Sequence, residues 1–282
     1  MTGFTADWLA LREPADHVAR SGSVAAALRA HFAHRAAITV LDLGCGAGSN
    51  LRGTYQDLPQ HQDWTLVDYD PALLVAARAE LTGWADSATP DGDTLLLRKG
   101  AAELRVQFVQ ADLTTDLPSV LAVQPDLVTA AALFDLVSER WLATFTEALS
   151  AVRLPLYTVL TYDGLQQWQP PHPLDDTVVA GFNAHQRTDK GFGAAAGPRA
   201  VGILASSLRT AGYAISTGAS PWQLAASPLL AELVAGIAAS ALEVRAVTDA
   251  QAAEWEAARH GAAVGSATIG HLDVLALPPA AG

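Results

Sequence analysis

The sequence predicts a doubly wound α/β fold on a mostly parallel, seven-stranded sheet, and three observations carry that expectation. An apolar, β-branched run from Ile38 to Leu43 leads directly into glycines at 44, 46 and 48 and then a polar helix start. A second run, Asp63 to Asp68, ends in an acid 20 residues after Gly48. Strand-like and helix-like segments then alternate along the chain, as parallel strands with crossover helices require.

The first run suits a strand buried on both faces of a parallel sheet. Glycine follows because the chain must turn sharply there and bring its backbone close to a ligand. Amides at the next helix start carry partial positive charge and favour a carboxylate, hydroxyl or phosphate. The spacing is G-x-G-x-G with Asp42 two residues before Gly44, not the G-x-G-x-x-G of a dinucleotide fingerprint. Asp68 stands where a carboxylate can accept both hydroxyls of a ribose.

On these residues the chain resembles the class I S-adenosylmethionine-dependent methyltransferases, whose first motif is an acid followed by G-x-G-x-G and whose second is an acid ending strand two. The resemblance spans roughly residues 36 to 276. It implies a Rossmann-like methyltransferase fold with helical insertions and an antiparallel last strand, and S-adenosyl-L-methionine as cofactor. It says more about cofactor than about substrate.

Residues 1–35 read as a helical preface, with Val24, Leu28 and Phe32 at helical spacing. In the resembling family such a segment often covers the cofactor pocket; packing on the sheet is the plainer alternative. Residues 36–282 are the expected methyltransferase domain. Asp70-Pro71 opens the second crossover helix and Gly83 closes it. The resemblance places Tyr69 against adenine. The stretch 84–102 reads as a surface insertion holding one short strand, Thr94 to Arg98.

Leu104 to Ala111 is the third expected strand. By resemblance, Asp112 takes the adenine amino group and the Leu113 amide meets a ring nitrogen; the alternative for Asp112 is a cap on the turn towards Leu117. Asp126 to Ala131 is the fourth strand, and ligands in such sheets lie beyond strand carboxyl ends. Ala131 therefore joins the expected cofactor site, which comprises Asp42, Gly44, Gly46, Gly48, Asp68, Tyr69, Asp112, Leu113 and Ala131. Phe134 and Asp135 follow, facing the methionine end by resemblance, and Asp135 reads equally as a cap on the next helix. The Asn/Asp-Pro-Pro-aromatic motif of nucleic-acid amino-methyltransferases is absent here.

Leu154 to Thr161 is the fifth strand, and Tyr213 to Thr217 the sixth. Between them, residues 162–197 are expected to set substrate specificity. Residues 221–262 form a second insertion with helices at Ser227 to Val247 and Asp249 to His260, and Ser266 to Leu277 is the last strand. Pro278 to Gly282 reads as a frayed tail.

Methyl transfer from a sulfonium is an in-line displacement in which alignment supplies much of the rate, up to about 7 to 11 kcal/mol. A hydroxyl or ammonium nucleophile must also lose a proton, which favours a base such as histidine. The candidates are His185 and His172, with Asp135, Tyr162 and Asp163 behind them. Against each histidine stands a structural role, since the chain has 8 histidines. Trp168, Phe182, Phe192 and Trp222 either line an apolar pocket or pack a core.

The net charge of −12 opposes capture of nucleic acid or an anionic membrane, so a small-molecule acceptor is expected. A single cysteine, Cys45, excludes an internal disulfide and a cysteine-rich metal site, and no metal-ligand spacing is present. Neither a signal peptide nor a membrane span is legible, so a cytoplasmic location is expected. The leading function is O- or N-methylation of a small molecule. A cofactor-binding regulator without turnover and, behind it, an NAD-dependent oxidoreductase are the alternatives; oligomeric state is not legible.

Overall fold

The computed structural model describes residues 4–261 and 265–279. The end of the tail read at 278–282, and residue 262 of the second insertion, lie outside the described residues.

Five strands form the parallel centre: β1 (Ala37–Leu43), β2 (His61–Asp68), β5 (Ala102–Gln110), β6 (Leu127–Ala131) and β7 (Leu156–Gln169). β10 (Ser266–Leu277) runs antiparallel to β7, and β8 (Ala214–Ala219) pairs with the far edge of β10. The resulting order, β5-β2-β1-β6-β7-β10-β8, contains the seven strands expected of the main sheet.

Among the described residues the sheet nevertheless has ten strands, not seven. β3 (Ser87–Asp91) and β4 (Thr94–Lys99) add a hairpin to the β5 edge, where the sequence suggests a surface insertion with one short strand. Pro90 is compatible with β3 because that strand is the outer edge, where a missing amide donor costs no ladder bond. β9 (Trp222–Ala225) pairs with the first half of β10. β7 also continues eight residues past Thr161, because the long β10 offers a partner as far as Ser266 opposite Gln169.

Alternation along β1 divides the core. Ile38 and Val40 face α2 (Gly22–Phe32) and α4 (Pro71–Trp84), whereas Leu41 and Leu43 face α6 (Glu139–Ala151) and α8 (Ala200–Thr210). A third cluster lies beyond the strand ends. It joins the extensions of β7 and β10 to β9, α7 (Asp175–His185), α9 (Pro228–Glu243) and α10 (Asp249–Gly261). Among the described residues no helix is long and apolar enough to cross a membrane.

The N-terminal segment packs on the sheet and also reaches the glycine turn. α2 buries Val24, Leu28 and Phe32 in the core. α1 (Ala6–Ala19) lies over the glycine turn, with His17 Nε2 3.0 Å from the Ser49 carbonyl and Glu13 accepting from Arg52 Nε at 2.7 Å.

Candidate active site

The turn after β1 has the conformation its glycines suggest. Gly44, Gly46 and Gly48 take φ values of 64°, 53° and 78°, a region costly for residues with a Cβ. The Gly46 amide donates to Asp68 Oδ2 at 2.8 Å, and the Asp70 amide to Asp68 Oδ1 at 3.0 Å. Burial raises the Asp68 carboxyl above its usual range, and those two amides oppose the shift.

Beneath the turn, Asp42 is fully buried. Its Oδ1 accepts from Asn50 Nδ2 at 2.7 Å, while Oδ2 has no partner among the described residues. Burial pushes Asp42 up to about 7, against the pull of the Asn50 hydrogen bond. Asn50 in turn accepts from Arg20 at 3.0 Å, which ties the turn to the end of α1. Cys45 is buried in the same turn, and burial raises its thiol well above the ordinary value.

Of the other expected cofactor residues, Tyr69 is exposed beyond β2 and Ala131 is half-buried at the end of β6. Asp112 Oδ1 accepts from the Thr114 amide at 2.8 Å and its hydroxyl at 2.6 Å, so this carboxylate does organise the turn after β5. Leu113 is buried, and its carbonyl accepts from the Trp141 indole at 2.8 Å.

The three catalytic candidates separate. His172 Nδ1 accepts from the Leu174 amide at 3.2 Å, and its Nε2 lies 3.7 Å from Glu254 on α10. His185, at the end of α7, lies 3.3 Å from both Glu243 on α9 and Lys190. The polar contacts of both histidines thus lead into the helical insertions, not towards the glycine turn. Asp135 instead sits just beyond β6, 6% exposed. Burial pushes it up to about 6, and backbone hydrogen bonds and the Arg12 guanidinium oppose that.

The sequence reading missed a buried aromatic and charged cluster on β7, β9, β10 and α1. His271 on β10 faces Tyr162 on β7 across the antiparallel ladder, with ring centroids 6.1 Å apart. Trp222 on β9 lies 5.0 Å from the His271 ring, and Arg12 on α1 stacks over Trp222 at 5.1 Å. Arg12 is held by Asp16 through bonds of 2.9 and 3.2 Å, and Asp16 also accepts from the Trp222 indole. Burial, aided by Arg12, pulls His271 down to about 3. Only the pairing of β10 with β7 could reveal this histidine. Among the described residues no group of three or more His, Cys, Asp or Glu side chains is placed to hold a metal ion.

No protein-family model matches the chain, and no curated protein sequence matches it significantly. Solved structures do. A protein of Bacillus halodurans C-125 solved under the description of a methyltransferase has 15% identity and a TM-score of 0.51, covering 92% of this chain and 100% of that one. A cyclopropane-fatty-acyl-phospholipid synthase-like protein from Lactobacillus casei has 16% identity and a TM-score of 0.53, covering 97% and 94%. The YcgJ protein of Bacillus subtilis has 12% identity and a TM-score of 0.50, covering 93% and 100%. At such identities the likeness speaks to architecture, and with the strand order above it establishes that the chain has the Rossmann-like methyltransferase fold.

Proposed function

We propose that the protein is an S-adenosylmethionine-dependent methyltransferase acting on a small molecule, at nitrogen or oxygen. The observation that carries this reading is the glycine turn, in which three left-handed glycines hold the Gly46 amide on the Asp68 carboxylate. The residues present fit the cofactor. Asp68 retains lone pairs for a ribose, the three glycines add no Cβ of their own to the turn, and Asp42 Oδ2 is a buried acceptor still unpaired among the described residues. When bound, the cofactor supplies an electrophilic methyl group on a sulfonium.

The chain's own residues would then divide the work. Gly44, Gly46 and Gly48 let the backbone approach the ligand, and Asp68 orients the ribose. Tyr69 covers the adenine, with Asp112 and the Leu113 amide at its edge and Ala131 below. Leu9 of α1, whose Cδ1 lies 2.9 Å from where a Gly46 Cβ would stand, helps to exclude water. Asp135 is the favoured base because it is buried beside the expected methyl position; His172 and His185 would act only on the substrate's outer part. The segments 162–197 and 221–262 would build the acceptor side, and a cytoplasmic enzyme with no nucleic-acid partner agrees with the acidic charge.

The test is incubation with S-adenosylmethionine and a panel of small amines and alcohols, read by mass spectrometry. Products about 14 Da heavier, with matching S-adenosylhomocysteine, are expected; turnover with NAD and no methylated product would contradict the reading.

A further inference from the structure

Away from the glycine turn, an open cleft of about 600 Å³ lies where α6 begins, a size that suits a small-molecule ligand. Three arginines line it: Arg140 in the first turn of α6, Arg187 just past α7, and Arg199 at the end of the 3-10 turn Gly197–Arg199. Glu139 is the one acid among the lining residues, so three positive charges face a single negative one in a chain whose net charge is −12. Phe192 and Ala195 supply an apolar wall.

Backbone hydrogen bonds fix the frame of this cleft. The amides of Ala196 and Gly197 donate to the carbonyls of Val137 at 2.7 Å and Asp135 at 3.0 Å, and Ala195 pairs with Ser138. Gly197 turns the chain at φ 54°, and the place of its absent Cβ lies 3.2 Å from Arg187 Cγ. The stem of Arg187 therefore rests on the turn that carries Arg199. Arg199 Nη2 in turn reaches Glu139 Oε1 at 2.6 Å, next to Arg140 in the chain. Phe192 stands edge-on to Trp141, ring centroids 5.6 Å apart, which ties the apolar wall to the core.

Nothing inside the protein neutralises this group. Arg140 and Arg187 make no ion pair or side-chain hydrogen bond among the described residues. The Arg199–Glu139 pair is exposed and contributes little, so Arg199 can turn to a ligand at small cost. Asp189, on the same loop, directs Oδ1 to the Gly191 and Gly193 amides at 2.7 and 3.0 Å. Guanidinium forks match ligands with several acceptor oxygens. An excess of two positive charges favours a dianion, and a phosphate monoester carries about −1.5 to −2 at neutral pH. We propose that this cleft binds a small phosphate monoester, with the phosphate among Arg140, Arg187 and Arg199 and the organic part against Phe192 and Ala195. Such binding requires no methyl-donating cofactor.

Calorimetry on the full chain at about pH 8, where the ester is a dianion, tests this with three probes. Phenyl phosphate presents charge and ring, phenyl sulfate the same ring with one charge fewer, and inorganic phosphate the charge without the ring. Phenyl phosphate is expected to bind about tenfold or more tighter than either of the others. Arg187→Gln should weaken it by a similar factor, whereas Arg209→Gln, exposed on α8 and outside the cleft, should leave it unchanged. On the wild type, phenyl phosphate should shift the amide resonances of Phe192, Gly193 and Ala195 most, a readout that needs no variant to fold. Equal binding of phenyl sulfate or inorganic phosphate, indifference to Arg187→Gln, or shifts centred elsewhere overturns the proposal. Preference for an oligonucleotide without terminal phosphates, whose diesters each carry a single charge, also overturns it and marks a nucleic-acid surface instead.

Discussion

At Gly46 the backbone holds φ 53°, and an added Cβ would stand 2.9 Å from Leu9 Cδ1. The leucine tip can move, so the main cost of Gly46→Ala is the left-handed conformation, about 1–2 kcal/mol. A urea titration should read that loss, together with weaker S-adenosylhomocysteine binding; unchanged values for both would contradict the role given to this turn. Asp42 makes a pH-dependent prediction. Its folded pKa, about 7, lies above the ordinary 3.8, so between those values the native state keeps a proton the unfolded chain has released. Stability from this group is full below about pH 4 and is lost as pH rises through about 7. Asp42→Asn removes that loss, so its Tm should rise relative to wild type between pH 4 and 8; a gap independent of pH would contradict it. Asp42 and the glycines were legible in the sequence because local spacing alone encodes them. His271 was not, since its meaning depends on Tyr162, 109 positions away yet directly opposite in the ladder, and His172 and His185 drew attention by residue type and loop position alone.

Three segments meet at Asp273, fully buried on β10. It accepts from the Ser21 amide at the start of α2 (2.7 Å), the Leu160 amide in β7 (2.8 Å) and the Ser220 hydroxyl before β9 (2.6 Å). Leu160 holds φ 59°, a strained position for a leucine that this bond helps to fix. Asp273→Ala leaves three donors unpaired and should cost about 3–5 kcal/mol in a denaturant titration, by analogy with broken buried polar pairs. A loss under 1 kcal/mol would place the restraint elsewhere. In the helical extension, Trp255 is fully buried, meets the Trp168 ring at 5.0 Å and donates to Asp175 at 2.8 Å. Trp255→Ala should cost about 3–5 kcal/mol, with hydrogen exchange rising first in α7, α9 and α10; uniform acceleration across the sheet would show that the extension is not a separate cooperative unit. The end of β7 was not legible as strand because Asp163 to Gln169 lacks an apolar run. Its pairing is imposed by β10, whereas the seven core strands announce themselves through buried hydrophobic segments.

On the scale of the whole molecule, the strand ends of β1, β2, β6 and β7 open towards one side, where α1 and the helical extension close over them. The glycine turn after β1 and Asp135 after β6 both lie on that side. The central claim is that the turn binds S-adenosylmethionine through Asp68, and calorimetric titration with S-adenosylmethionine, S-adenosylhomocysteine and NAD, repeated on Asp68→Ala, tests it most directly. Binding of the first two in the micromolar range, about −8 kcal/mol, and a loss of at least a hundredfold in the variant, is the expected result. Binding of NAD alone, or cofactor binding indifferent to Asp68→Ala, would contradict it.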